Sequence, residues 1–238
     1  MCGRYSVARP DSDVAKEFDV DAIVGEEPAP SWNVAPTQIA RVIVERVPRD
    51  SDDEVAQRTL RNARWGLIPS WAKDVKIGNR LINARSETVT EKPAFKAAAV
   101  RRRCLIPADG YYEWEKVDGK KVPHFLHNAD ELLAFAGLYE LWPDPSRDKE
   151  DPDRWLCSYT ILTSPASDTL GHIHDRSPVV IPPGELRGRW LDPSLTEPDQ
   201  VRELLASIPE PRLQPREVST AVNSPDNNGP ELVEPVRH

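Results

Sequence analysis

Cysteine is scarce in this chain of 238 residues, which has only Cys2, Cys104 and Cys157, far apart and forming no Cys-x-x-Cys pair. An odd count without metal-ligand spacing indicates neither a disulfide framework nor a zinc site, and suits a reducing compartment. No apolar run approaches the ~18 residues of a membrane span, and the start lacks the basic and then apolar regions of a signal peptide. A soluble cytoplasmic protein with no membrane partner is expected. Excess positive charge is missing too: 39 acidic against 31 basic residues give a net charge of −8. That argues against nucleic-acid binding driven by overall charge but leaves room for a local basic groove. The basic residues are mostly arginine, a bias that suits a salt-rich cytosol. With no internal repeat and no flexible linker, one domain over residues 1-238 is the economical reading, and 39% hydrophobic residues suffice for its core.

What is present begins at the first five residues, Met1-Cys2-Gly3-Arg4-Tyr5. If Met1 is removed, which the small side chain at position 2 permits, Cys2 carries an α-amine and a thiol on adjacent carbons. Both ordinarily titrate within about two pH units of neutrality. The amine can condense with an aldehyde to an imine and the thiol can then close a five-membered thiazolidine ring. Gly3 permits close backbone approach, and Arg4 supplies a fixed charge for a phosphate or for lowering the thiol pKa. The plain alternative is a frayed chain end with an incidental cysteine.

The rest of the chain reads as strands interrupted by short helices and three acidic surface stretches, near 19-31, 48-56 and 143-153. Helical spacing of Val14, Ala15 and Phe18 predicts a helix capped by Asp11. Residues 39–47, 59–68, 132–142, 155–163 and 179–181 read as strands. A helix over 93–100 turns Phe95 and Ala98 inward, Ser164-Pro165 and Gly171 bracket a helical turn or two, and two further helices span 185–191 and 199–208. Cys157 is most simply a buried apolar residue. Over 110–117, period-2 alternation sets Tyr111, Glu113 and Glu115 on one face and Tyr112 and Trp114 on the other, and Asp118-Gly119 turns that strand back into 122–127.

Several residues invite chemistry. Glu113, set among aromatics, would have its pKa raised by desolvation and so could move protons near neutral pH, unless it is an exposed carboxylate paired with lysine. Trp71, beyond its strand and beside Lys73, suits base stacking, whereas Trp65 could be a core residue. Arg101-Arg102-Arg103 either caps the helix before it or contacts phosphate. His172 and His174 would share one side of an extended segment, but spacing suggests no third ligand, so an acid/base group beside an anion contact is the better reading than a metal.

Taken together, Met1-Cys2-Gly3-Arg4-Tyr5, Asn33-Val34-Ala35-Pro36-Thr37, Trp65-Gly66-Leu67-Ile68-Pro69-Ser70-Trp71, Asn83-Ala84-Arg85-Ser86-Glu87-Thr88, the 104–114 segment, Phe135-Ala136-Gly137-Leu138 and His174-Asp175-Arg176-x-Pro178 resemble the SRAP family of abasic-site processing proteins. The resemblance implies an α+β fold with a mixed, partly barrel-like sheet flanked by helices. It also implies a protein that binds single-stranded DNA at abasic sites, without a cofactor or metal, and crosslinks to the open-chain sugar through Cys2. Asn83 would position sugar and amine, Glu113 would move protons, and His174 would act on the sugar hydroxyl or the imine. Arg4, Arg85 and Arg176 would grip phosphates, with Trp71, and more weakly Asn33 and Pro36, against the bases. Lyase and thiol autopeptidase chemistry, a monomer and association with the nucleoid when DNA is bound belong to the same expectation. Ser177 departs from the family, where many members carry Met. The rivals are an N-terminal-nucleophile amidohydrolase of glutaminase type and a non-covalent nucleic-acid-binding module with an inert Cys2; against the first, the chain has no Asn-Gly-Asp segment.

Overall fold

Five strands of the computed structural model, which describes residues 2–48, 55–128, 131–166 and 173–236, close into a barrel. Among the described residues the strands in chain order are β1 (Tyr5–Val7), β2 (Ala22–Val24), β3 (Ser31–Val34), β4 (Ile39–Arg46), β5 (Gln57–Trp65), β6 (Asn83–Arg85) and β7 (Arg103–Ala108), then β8 (Gly110–Val117), β9 (Lys120–His127), β10 (Leu133–Pro143), β11 (Trp155–Pro165), β12 (Arg176–Pro178) and β13 (Gln214–Glu217). The α-helices among them are α1 (Asp11–Glu17), α2 (Lys96–Arg101), α3 (Glu185–Leu191) and α4 (Pro198–Ser207). Antiparallel pairing runs β11–β10–β7–β4–β5, and β5 returns to β11 in parallel at Ser158↔Arg64 and Tyr159↔Trp65.

Alternation explains the two sides of the barrel. Val42 and Val44, Cys104 and Ile106, Phe135 and Tyr139, and Tyr159 and Ile161 pack together inside. Their neighbours Ile43, Leu105, Ala134, Ala136, Leu138 and Leu162 face outward and are covered by helix residues such as Val14, Ala98, Trp190 and Leu204. The expected mixed, partly barrel-like α+β fold is the one observed. Gly137 is required by close packing, since a Cβ there would strike the Ile106 side chain and lie 2.8 Å from the Thr160 carbonyl. Cys104 and Cys157 are both buried in this interior.

A second sheet, in the order β13–β9–β8–β1–β3, brings the N-terminus to the barrel. Its hairpin turns at Asp118 and Gly119, both at positive φ, the two-residue turn that matches strand twist. Tyr111 joins the barrel core, while Tyr112 packs with Phe125, Val218, Val222 and Leu232 on the opposite face, as the alternation predicts. No helix among the described residues is long and apolar enough to cross a membrane.

Local expectations fail where a distant partner decides. Asp11 is inside the first turn of α1 with Pro10 as its N-cap, because its buried carboxylate is drawn to the Arg41 guanidinium on β4. The acidic 19-31 stretch contains β2, which pairs in parallel with β5. Arg103 is buried and donates to the carbonyls of Ala99, Trp190 and Asp192, so it closes helix ends, while Arg102 is occupied by the Glu140 carboxylate on β10. The last strand of the core is shifted to Arg176–Pro178, and only a bridge at Val180 follows, because Pro178, Pro182 and Pro183 offer no N–H to a ladder. Ser164 and Pro165 belong to β11; the rest of the expected helical turn, like 49–54 of the second acidic stretch, lies outside the described residues.

Candidate active site

Cys2 sits just before β1 with no exposed surface, at the junction of the two sheets. Burial pushes its thiol far above the ordinary range, and the negative charge of Glu113 adds to the shift. Arg4 does not offset this: its guanidinium donates to Asn33 Oδ1 at 2.8 Å and to the Val222 carbonyl at 2.9 Å. The thiol is therefore held neutral, and an amine beside it would be the first nucleophile to act.

Asn83 reaches the same point from β6. That strand lies parallel to β11, with Asn83 beside Ile161, and the Trp65 indole donates to the preceding Ile82 carbonyl at 2.9 Å. Behind it the Trp65-Gly66-Leu67 turn meets Gly78 face to face: Gly66 has φ +113°, and a Cβ on either glycine would lie 2.5 Å from the other's carbonyl oxygen. So fixed, Asn83 Nδ2 donates to the Cys2 carbonyl at 2.7 Å. Its Oδ1 is buried with no hydrogen-bond partner among the described residues, an arrangement that costs about 1–3 kcal/mol unless a ligand donates to it.

Glu113 projects from β8, 4% exposed, and burial raises its carboxyl pKa while the charge of His174 opposes the rise. It is the desolvated carboxylate that the flanking aromatics predict. His174 precedes β12, and its Nδ1 lies 3.1 Å from the Arg176 N–H and 2.8 Å from Asp175 Oδ1. A ring nitrogen cannot accept from one and donate to the other at once, so the two contacts belong to different proton placements on the ring. Glu113 and His174 line one cavity of about 470 Å3, with Trp114, Lys116, Lys121 and Asn223. His172 lies outside the described residues, among which no cluster of three or more His, Cys, Asp or Glu could hold a metal.

The expected DNA contacts divide into exposed and occupied groups. Trp71 is 62% exposed, Arg85 is exposed and Pro36 partly so, on the turn where Thr37 takes positive φ. Asn33 is buried, and its Nδ2 donates to Ser224 and Asn227 carbonyls at 2.9 Å while Oδ1 accepts from Arg4. Its amide is used up tying the tail to Arg4, which leaves it a positioning residue. Arg176 is bidentate to Glu87 at 2.8 Å on both arms and also donates to Thr163 Oγ1 and the Thr163 carbonyl, leaving one N–H uncommitted. That contact holds the Glu87 carboxyl well below the usual range, at about 2. Glu87 and Asp175 lie inside the sequence motifs without a role of their own; Glu87 gains one from Arg176, 89 positions away, and Asp175 from the neighbouring His174 ring. Ser177 is buried in β12 opposite Ser164, clear of these groups.

Fold and site together define a β-barrel protein whose N-terminal cysteine is seated against an asparagine, with a buried glutamate and a histidine lining one cavity nearby. The chain belongs to the SOS response associated peptidase (SRAP) family, whose model matches residues 1–225. It is 41% identical over 237 residues to the abasic site processing protein YoqW of Bacillus subtilis, covering 98% of this chain and 99% of the relative. To the abasic site processing protein HMCES of Xenopus tropicalis it is 30% identical over 267 residues, covering 98% of this chain and 78% of the relative. Among solved structures, a Bacteroides thetaiotaomicron protein superposes with a TM-score of 0.77 at 23% identity, over 99% of this chain and all of that one. A Bordetella bronchiseptica protein gives 0.70 at 26% identity, over 92% of this chain and all of that one.

Proposed function

We propose that this protein binds single-stranded DNA at abasic sites and, once Met1 is removed, captures the open-chain aldehyde through Cys2. The observation that carries this reading is the 2.7 Å bond from Asn83 to the Cys2 carbonyl, which anchors the nucleophile next to a buried proton-carrying carboxyl. The amine adds to the aldehyde carbon, and the carbinolamine hydroxyl leaves as water with a proton from Glu113, giving the imine. The thiol then adds to the imine carbon and its proton passes to the nitrogen, closing the thiazolidine. The balance is aldehyde plus amine plus thiol to ring plus water. A neutral, buried thiol fits second place in this order.

Asn83 Oδ1 would accept from the sugar hydroxyl or the N–H of the protonated imine, and His174 would exchange a proton with the sugar hydroxyl, with Asp175 beside its ring. Reversal runs through the same imine, and loss of a proton from the carbon next to it would expel the 3′ phosphate, the route to lyase activity. Removal of Met1 by the chain itself, the autopeptidase reading, would use the same thiol. Arg4, Arg85, Arg176, Trp71 and Pro36 would hold the strand at the rim, and the protein would work where damaged DNA is, in the cytoplasm at the nucleoid.

Intact mass spectrometry tests the reading, on protein mixed with a single-stranded oligonucleotide bearing one abasic site and no reductant. The expected species is protein lacking Met1 plus DNA minus water, lost in Cys2→Ala while non-covalent binding persists. No adduct from protein confirmed to begin at Cys2 would overturn it, and glutamine hydrolysis instead would favour an amidohydrolase.

A further inference from the structure

Outside the residues already given roles, the cavity that holds Glu113 and His174 is walled by Lys116 and Lys121. The two lysines are directly opposite one another across the β8–β9 hairpin, both exposed, on the face that also carries Trp114. Like charges directly opposite on one sheet face repel. Among the described residues neither lysine makes an ion pair, and Glu115, next to Lys116 in sequence, is turned to the other face and paired with His124 at 3.0 Å. Lys121 also borders a crevice with Glu217, Glu231 and Glu234, where no salt bridge of Lys121 is found among the described residues. In a chain with net charge −8, an unneutralised cation pair opening on the reactive cavity is out of keeping with the rest of the surface.

We propose that Lys116 and Lys121 form a phosphate-binding subsite that takes backbone phosphates of the nucleic-acid strand as it leaves the reacting sugar over the β8–β9 hairpin. The inference rests on the function proposed above and extends it by fixing one exit of the strand. Trp114, half-buried, with its indole Nε1 donating to Asn223 Oδ1 at 2.7 Å, gives the subsite a rigid floor. Lysine suits this position because a flexible point charge follows a strand without dictating sequence.

The experiment measures equilibrium binding of a fluorescent single-stranded oligonucleotide with one abasic-site analogue lacking the aldehyde, between 50 and 200 mM salt. It compares wild type, Lys116→Gln/Lys121→Gln and, as a control for net charge, Lys92→Gln/Lys96→Gln on the distant α2 side. Each phosphate neutralised on a single strand contributes about 0.7 to the slope of log K against log salt, so the hairpin variant should lose about 1.4 and its salt sensitivity over this range should shrink roughly sevenfold. The control should keep the wild-type slope. Adduct yield at saturating abasic DNA should stay unchanged in both variants, which separates the subsite from the chemistry. An unchanged slope in the hairpin variant, or an equal loss in the control, overturns the subsite while leaving covalent capture standing. If the wild type neither binds nor crosslinks, both readings fall together.

Discussion

Two carboxylates that border the site, Glu113 on β8 and Glu87 after β6, are driven in opposite directions by their surroundings. Glu113 is 4% exposed and burial raises its pKa; Glu87 is exposed, and the Arg176 guanidinium holds its pKa at about 2. Desolvation favours the protonated form of the first, whereas charge pairing favours the anion of the second. Under the proposed function, the interior of the site would serve the chemistry and its rim the recognition of charge. Groups of the interior sit inside the fold around Cys2; on the rim Arg176 is tied to Glu87 and Arg4 to Asn33, while Trp71 and Arg85 are exposed.

Removing the raised carboxyl should have the larger effect. Glu113→Gln keeps the shape of the side chain but can neither give nor take a proton, so crosslink formation should slow by about 10²–10⁴-fold, the usual worth of a positioned acid/base group. Stability should move the other way. A folded pKa above the unfolded one means that the native state retains a proton the unfolded state has lost, so wild-type stability falls as pH rises from the ordinary carboxylate range through the folded pKa. The gain in Tm of Glu113→Gln over wild type should therefore be greater at pH 8 than at pH 4. An unaltered rate would remove Glu113 from the mechanism whatever happens to Tm.

The contrast between interior and rim also marks what could be read from the chain. Glu113 was legible because its environment is local: Tyr111, Tyr112 and Trp114 are its sequence neighbours, and Asp118-Gly119 announces the hairpin that covers it. Asn83 and Cys2 were legible as motifs, but the bond between them spans 81 positions. Barrel closure through the parallel β5–β11 pair, and β2 added to β5 within an acidic stretch, depend on partners that no local pattern specifies. The same holds for Asn33, polar by type yet buried because Arg4 and three tail carbonyls satisfy its amide. Arg176 and Glu87 are 89 residues apart, so an arginine expected on phosphate is instead occupied by a carboxylate.

Next in size on the rim is Trp71. A stacked base is worth about 1–3 kcal/mol, so Trp71→Ala should weaken non-covalent binding of single-stranded DNA by at least about fivefold in fluorescence anisotropy. The crosslinking rate at saturating DNA should be unchanged. Because the ring is 62% exposed, stability should shift by less than about 0.5 kcal/mol. A fall in rate with unchanged affinity would place Trp71 in the interior's work and blur the division drawn above.

The smallest expected effect bears on the rim's self-pairing. In the free protein Glu87 occupies the two arms of Arg176 that a phosphate would need, so DNA must displace it. A partly exposed pair of this kind is worth about 1 kcal/mol at most, so Glu87→Gln should tighten non-covalent DNA binding by up to about fivefold, with crosslinking at saturation unaffected. Acid will not mimic the substitution near neutrality, because the carboxyl stays ionised down to about pH 2. Its depressed pKa adds stability that is present above the ordinary carboxylate range and is lost as pH falls toward 2, so the stability deficit of Glu87→Gln should shrink between pH 6 and pH 3. Should affinity drop instead, Glu87 serves to aim Arg176 at the phosphate, and the rim, like the interior, is already set for its ligand before DNA arrives.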